Sequence, residues 1–93
     1  MKIYQSSSFS KKVKRLRPKQ KQHLDVAIKD IISNPQIGVE KKGDLKGVYV
    51  HKFKIQSVQY LLSYRFTGED LELIMIGPHE NYYRDLKSYL KNK

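Results

Sequence analysis

The hydrophobic residues of this chain change their spacing partway along it, and this change constrains the order of its secondary structure. Before Asn34 and Pro35, apolar residues recur at intervals of three and four, as on one face of a helix. From Val48 onward they alternate with polar residues or run together, as they do in strands. Helices followed by strands with short turns favour an α+β domain, in which the helices pack on a sheet.

Two helices are predicted before Asn34. The first follows serines that suit a helix N-cap, and its apolar face holds Phe9, Val13 and Leu16. Pro18 breaks this face or opens the next helix. The apolar face of that second helix consists of Leu24, Ala27, Ile28, Ile31 and Ile32. Lys2–Gln5 is a short candidate edge strand. The chain is therefore expected to begin with this strand, and the two predicted helices form a hairpin after it.

Three strands are predicted after a loop at residues 36–47. They span residues 48–55, 58–66 and 71–76, with turn-forming residues between them, and a short amphipathic helix follows from Tyr82. The predicted order is therefore βααβββα. This is an α+β fold, a helical hairpin packed on a small antiparallel sheet, forming one domain over residues 1–93.

The charge of the chain indicates an anionic partner. Its 93 residues include 19 Lys and Arg against 9 Asp and Glu, which gives a formal net charge of +10. Such an excess attracts nucleic acid first, an acidic protein second and an anionic membrane third. No apolar run approaches the roughly 18 residues of a membrane span, so no membrane partner is expected. With no visible signal peptide and no cysteine, a cytoplasmic protein without disulfides is expected.

The segment after the last predicted strand collects side chains that transfer protons or contact nucleic acid. Gly77 and Pro78 break the strand, and His79, Tyr82 and Tyr83 follow. A loop at the end of a rigid strand exposes such groups. A histidine there suits acid–base work near neutral pH, and tyrosines suit stacking on bases. The structural alternatives are an ordinary surface histidine and packing of one tyrosine in the core.

Lys52 and Lys54 lie two residues apart on one predicted strand face. Side chains at this spacing point the same way and lie roughly 7 Å apart. Two ammonium groups there suit binding of a phosphate or stabilisation of charge on a phosphoryl group. The alternative is the solvated outer face that an antiparallel sheet commonly has.

The densest run of positive charge lies in the first helix and the turn that follows it. Seven cations in eleven residues have no acidic residue among them, and the candidates for RNA binding there are Lys11, Lys12, Lys14, Arg15 and Arg17. Such a run suits a phosphate backbone or an acidic partner, and its alternative is a solvated helical face. No acidic cluster has the spacing of metal ligands, so no metal or other cofactor is expected.

The chain resembles the RelE/ParE toxin superfamily over essentially its whole length. The similarity lies in the predicted element order, the loop at residues 43–47, the strand at residues 60–65 and the strand end at residues 76–79. It implies a toxin of a type II toxin–antitoxin system. RelE-type members are metal-independent endoribonucleases that cut mRNA in the ribosomal A site, and an antitoxin neutralises them.

The resemblance also implies site residues. Lys52 and Lys54 match the two strand lysines of RelE-type active sites, Tyr83 matches the tyrosine of the C-terminal segment, and His79 follows the final strand where related ribonucleases carry a histidine or arginine. Two family arginines are missing, because Leu61 and Asn81 stand in their places. Arg65 and Arg84 are the candidates to compensate, and Tyr82 is a further candidate for RNA contact.

Three functions remain open from the sequence. The first is a ribosome-dependent mRNA endonuclease with a cognate acidic antitoxin. The second is a ParE-type toxin that poisons DNA gyrase without catalysis of its own. The third is a plain RNA-binding module on the same fold. Lys52, Lys54, His79 and Tyr83 favour the first, because an inhibitor does not need that set of side chains.

Overall fold

A computed structural model describes residues 2–91 as a five-stranded sheet with three α-helices. The strands are β1 (Lys2–Gln5), β2 (Val39–Glu40), β3 (Tyr49–Ile55), β4 (Val58–Phe66) and β5 (Asp70–Pro78), in the sheet order β1-β5-β4-β3-β2. The helices are α1 (Ser7–Lys14), α2 (Pro18–Ser33) and α3 (Tyr82–Lys91). The predicted α+β class, helical hairpin and C-terminal helix are confirmed.

The sheet is mixed, which corrects the predicted antiparallel sheet. Strands β2, β3, β4 and β5 pair antiparallel, but β1 lies parallel to β5, with Ile3 opposite Leu71. The predicted two-residue turn between β3 and β4 is present, and both of its residues, Gln56 and Ser57, have positive φ. Hydrophobic spacing does not encode the direction of a strand that joins the far edge of a sheet. The parallel pairing therefore depends on the helical hairpin that follows β1.

Residues 36–47, predicted as a loop, contain short elements. Two 3₁₀ turns, Pro35–Ile37 and Gly43–Leu45, flank the two-residue strand β2. The hydroxyl of Tyr64 fixes this segment, because it donates to the carbonyl oxygen of Pro35 at 2.6 Å and accepts from the Gly38 N–H at 3.0 Å. Elements of two or three residues are too short to produce a hydrophobic period, so they cannot be read from spacing.

Each face of the sheet packs on different helices. On one face α1 and α2 cover Leu62, Tyr64 and Leu71, with Phe9, Leu24 and Ile31 buried between helices and sheet. On the other face α3 covers part of the sheet, and Tyr82 and Leu86 pack with Val50, Leu61 and Met75. We call these the hairpin face and the α3 face. The division matters because it separates the candidate functional residues.

Ser6 connects the hairpin to the central strand. Its side chain accepts a hydrogen bond from the backbone N–H of Phe9 at 3.0 Å, which caps α1, and its hydroxyl donates to the carbonyl oxygen of Ile74. An N-cap contributes about 1 kcal/mol to helix stability. The predicted serine cap is thus present, and it also sets where α1 starts relative to β5.

Candidate functional site

The two strand lysines lie on the α3 face. Lys52 and Lys54 are exposed, and they alternate along β3 with residues of the hairpin face. Lys52 is paired with Leu61, which in turn is paired with Gly77, so this row crosses three strands. The two lysines therefore lie on the side of the sheet that the beginning of α3 covers.

His79 and Tyr83 contact each other at that end of the sheet. Their ring centroids are 6.2 Å apart, with the rings at 83° to each other. Tyr60 is paired with Pro78, so His79 lies just beyond the end of the β4–β5 ladder. Lys54 is paired with Gln59, the residue before Tyr60, and so lies at the same end of the sheet. The predicted catalytic residues thus occupy one side of the sheet. Lys52, Lys54, His79 and Tyr83 are the candidate site.

Tyr83 is the centre of this cluster, and it has a neighbour that the sequence did not indicate. The ammonium of Lys41 lies 4.9 Å from the centroid of the Tyr83 ring. The ring of Tyr82 meets that of Tyr83 edge-on at 5.7 Å. Lys41 belongs to the segment after β2, which the spacing pattern assigned to a loop. In the sequence, nothing distinguishes Lys41 from the other lysines of this loop. Only the folded structure shows that it lies against an aromatic ring.

Tyr82 is not available for base stacking, which corrects its predicted role in RNA binding. Its side chain is 3% exposed and packs in the core beneath α3. The hydroxyl donates to the carbonyl oxygen of Met75 at 2.6 Å and lies 2.8 Å from Ser63 Oγ. Burial raises the pKa of this phenol well above its ordinary value of about 10. Tyr82 therefore anchors α3, while Tyr83 remains half-exposed beside it.

Of the two candidates to replace the missing family arginines, Arg65 lies apart from the candidate site and Arg84 lies in the first turn of α3. Arg65 is on the α3 face, but it lies beside the last turn of α3 and pairs with Glu72 at 3.8 Å. The last turn of α3 is about one helix length, roughly 15 Å, from its first turn, which follows His79. Arg84 is exposed on α3, 3.5 Å from the carboxylate of its neighbour Asp85.

The positions where the family carries arginine have other functions here. Leu61 is fully buried beneath α3. Asn81 has a φ of 59°, and its carbonyl oxygen accepts the N–H of Asp85 in the first turn of α3. Asparagine tolerates this left-handed conformation better than most residues do. A buried leucine and a helix-starting asparagine supply no cation to the site.

The basic run lies with the hairpin, on the other side of the sheet. Phe9 and Val13 point α1 toward the hairpin face, so the cations of that helix project away from the sheet. The exposed residues there are Lys11, Lys12, Lys14, Arg15 and Arg17. The cations of α1 are thus on the opposite side of the sheet from Lys52 and Lys54, whereas Arg17, which follows α1, lines a pocket with Gln56 in the turn after β3. The molecule therefore has two separate basic surfaces.

Two histidines lie outside the candidate site. His51 is on the hairpin face, where its ring stacks on Phe53 with centroids 6.1 Å apart. Burial lowers its pKa, and the carboxylate of Asp30 on α2 partly opposes this change. His23 is exposed on α2.

Comparisons with solved structures identify the class of fold. E. coli RelE in a mutant form in the free state superposes with a TM-score of 0.72 at 17% identity, over 97% of this chain and 95% of that one. A YoeB/ParE toxin from Agrobacterium tumefaciens gives a TM-score of 0.69 at 22% identity, over 85% and 99%. A chain of the intact E. coli RelBE toxin-antitoxin complex gives a TM-score of 0.67 at 21% identity, over 85% of this chain and 96% of that one. This is the fold of these small toxins.

The family is shown by sequence. A family model described as the ParE-like toxin of type II bacterial toxin-antitoxin systems matches residues 3–87. The chain therefore belongs to this toxin family. A search of curated protein sequences finds no match. Among residues 2–91, no helix is both long and apolar enough to cross a bilayer.

Proposed function

We propose that this toxin is an endoribonuclease that cleaves mRNA, with ribosome-bound mRNA as its substrate. One observation supports this most directly. Lys52 and Lys54 share the α3 face with the contacting pair His79 and Tyr83. Cations for a phosphate and groups for proton transfer are the two requirements for cleaving RNA by its own 2′-hydroxyl.

The proposed reaction is an internal transphosphorylation. The 2′-oxygen attacks the adjacent phosphorus as a base takes its proton, and a 2′,3′-cyclic phosphate forms. The bond to the 5′-oxygen breaks, and an acid protonates that leaving oxygen. Lys52 or His79 acts as the base, Lys54 stabilises charge on the phosphate, and His79 or Tyr83 serves as the acid or stacks on a base. Each proton transfer typically contributes about 10²–10⁴-fold to the rate.

The second basic surface supports a large RNA partner. The cations of α1 lie on the opposite side of the sheet from Lys52 and Lys54, so one short extended strand does not cover both surfaces easily. A folded RNA assembly that surrounds the domain contacts both. The ribosome fits this description, and counterion release from its phosphates would supply affinity without sequence preference. The toxin would then act in the cytoplasm.

The proposed regulator is an acidic antitoxin. The net charge of +10 favours fast encounter with an acidic protein, and buried apolar contacts set the lifetime of such a complex. A chain of the intact E. coli RelBE toxin-antitoxin complex has a fold that matches this chain, which supports an antitoxin partner here. We expect the antitoxin of this chain to cover the α3 face, because this would hide the site.

Expression in growing cells, followed by mapping of mRNA 5′ ends, tests the function. The native chain should produce new mRNA ends, and a Lys52→Ala, Lys54→Ala double variant should not. Lys29→Ala is the control, because Lys29 is an exposed lysine of α2 outside the candidate site and its replacement removes the same kind of charge. Purified toxin should cut mRNA on ribosomes and leave naked RNA largely intact.

Two results would contradict the proposal. Gyrase-linked DNA breaks with intact mRNA would identify a gyrase poison, the alternative function. Tight RNA binding without cleavage in either setting would identify a plain binding module.

A further inference from the structure

Lys41 occupies a defined position at the candidate site. Its ammonium lies 4.9 Å from the centroid of the Tyr83 ring. Its backbone N–H donates to the carbonyl oxygen of Val48 at 2.9 Å, which continues the β2–β3 pairing by one step. The side chain is half-buried. The strand pairing and the aromatic ring thus both hold this lysine, unlike a lysine free in solvent.

The register places Lys41 on the α3 face. Val39 is paired with Val50, which packs beneath α3, and Lys41 follows Val39 by two residues and so points the same way. Lys41 lies beside Val48, four residues before Lys52 along β3. That separation is roughly 13 Å along the strand. Lys41 and Lys52 are therefore on one face but too far apart to bind the same phosphate oxygen atoms.

The surroundings of Lys41 favour an anion. A pocket of about 300 Å³ beside it is lined by Glu40, Lys41, Lys42, Gly43 and Lys46, so cations outnumber the single carboxylate by three to one. The carboxylate of Glu40 already accepts a hydrogen bond from the Tyr49 hydroxyl at 3.3 Å. An ammonium has three N–H donors, and contact with a ring face leaves donors available to a ligand.

We infer that Lys41 is a further RNA-binding residue, which positions the Tyr83 ring and binds a phosphate next to the scissile one. This inference rests on the proposed function for its ligand, a single RNA strand crossing the α3 face. A base stacked on Tyr83 would lie between the phosphate at Lys41 and the phosphate at Lys52 and Lys54. Alternating stacking platforms and cations are typical of grooves that follow a single strand.

Binding of an uncleavable RNA tests this inference apart from catalysis. The probe is a ten-nucleotide single strand that carries 2′-O-methyl groups throughout, so it has no attacking hydroxyl. Its affinity is measured by fluorescence anisotropy across a salt series. Loss of one phosphate contact to a single strand lowers the slope of log affinity against log salt by about 0.7. Lys41→Met keeps most of the side-chain packing and should show that decrease.

The controls separate charge from packing. Lys41→Arg retains a cation that stacks on an aromatic ring, so its salt slope should equal that of the native chain. Lys29→Met removes one charge from α2 and should leave the slope unchanged. In the native protein, the ring proton signals of Tyr83 in NMR spectra should shift as the probe is added, and in Lys41→Met they should shift less.

The outcomes distinguish the inference from the proposed function. A native slope in Lys41→Met would overturn the role of Lys41, even if the chain cleaves mRNA. Absence of probe binding at low salt would overturn it as well. If Lys41→Met lowers the slope but the native chain cleaves no RNA, the RNA-binding role of Lys41 stands and the endoribonuclease proposal fails.

Discussion

The hydroxyl of Tyr82 donates a hydrogen bond to the carbonyl oxygen of Met75 at 2.6 Å, which joins the first turn of α3 to the middle of β5. Ser63 Oγ completes the group at 2.8 Å from the same hydroxyl. The neighbouring Tyr83 has its ring on the surface of this arrangement, against His79 and Lys41. Two adjacent tyrosines thus have different functions, one in the core and one in the candidate site.

Tyr82→Phe should destabilise the fold by about 1–3 kcal/mol, because it removes a buried hydrogen bond and leaves acceptors without their donor. Urea unfolding followed by circular dichroism measures this change. Tyr83→Phe is the matched control and should change the free energy of unfolding by less than about 0.5 kcal/mol. Equal losses in the two variants would contradict the separate roles.

His79→Ala and Tyr83→Ala should each reduce mRNA cleavage by about 10²–10⁴-fold if the residue transfers a proton. Each lies after the last strand, and neither is buried, so the free energy of unfolding should change little in His79→Ala. Ribosome-bound mRNA cleavage by purified protein is the measurement. Native rates in both variants would place the chemistry elsewhere on the molecule.

Gly38→Ala should destabilise the protein by about 1–3 kcal/mol, the usual cost of overpacking. A Cβ at Gly38 would lie 2.6 Å from the Tyr64 hydroxyl, which is held by the Pro35 carbonyl. Gly68→Ala is the control, since no atom outside its chain neighbours lies within 4 Å of that added Cβ. Thermal unfolding of both variants tests this prediction. A melting temperature of Gly38→Ala equal to that of the native chain would show that the Tyr64 hydroxyl moves aside without a cost in stability.

The free energy of unfolding should increase between about pH 5 and pH 7, and the loss of a proton from His51 should contribute to this increase. Burial lowers its pKa in the folded state below the ordinary value of about 6.5, so the unfolded chain binds more protons in this range. Its contribution is present above the unfolded pKa and is lost as the pH falls. His51→Gln should flatten the rise in the free energy of unfolding, whereas His23→Gln should not. A curve for His51→Gln parallel to the native one would contradict this.

Amide hydrogen exchange should be faster in the second half of α3 than in residues 71–76. Strand β5 lies between two strands and beneath helices on both faces, whereas α3 contacts the sheet along one side through Tyr82 and Leu86. Near the end of α3, Tyr89 and Leu90 are only partly buried against this core, and the Tyr89 hydroxyl lies 3.3 Å from Ser7 Oγ. Equal protection of the helix and the strand would contradict this prediction.

The helices and the three long strands were predictable because each has its own hydrophobic period. Phe9, Val13 and Leu16 indicate one helix face, and the alternation through residues 58–66 indicates a strand. Strand β2 and the parallel pairing of β1 were not predictable, because two residues carry no period and spacing does not encode a distant partner. The antiparallel sheet was therefore the wrong expectation, although the fold class was right.

The candidate site was predictable only in part. The i, i+2 spacing of Lys52 and Lys54 was enough to place both on one face. Adjacent helical residues point about 100° apart, so the sequence showed that Tyr82 and Tyr83 differ but not which is buried. Lys41 was missed because its contact with Tyr83 joins residues 42 positions apart in the chain.

The pairing of β1 with β5 has a consequence for the synthesis of this protein. Strand β1 can pair only after its partner β5, which begins at Asp70, has been synthesised. Ser6, which caps α1, can likewise donate to the carbonyl oxygen of Ile74 only after that residue has been synthesised. Contacts between such distant residues slow folding, because a long loop of chain must close before they form. A growing chain thus cannot complete its sheet, or place His79 and Tyr83 against it, until residues 70–83 have left the exit tunnel. The ribosome that makes this toxin therefore carries no assembled candidate site while those residues are still inside its tunnel.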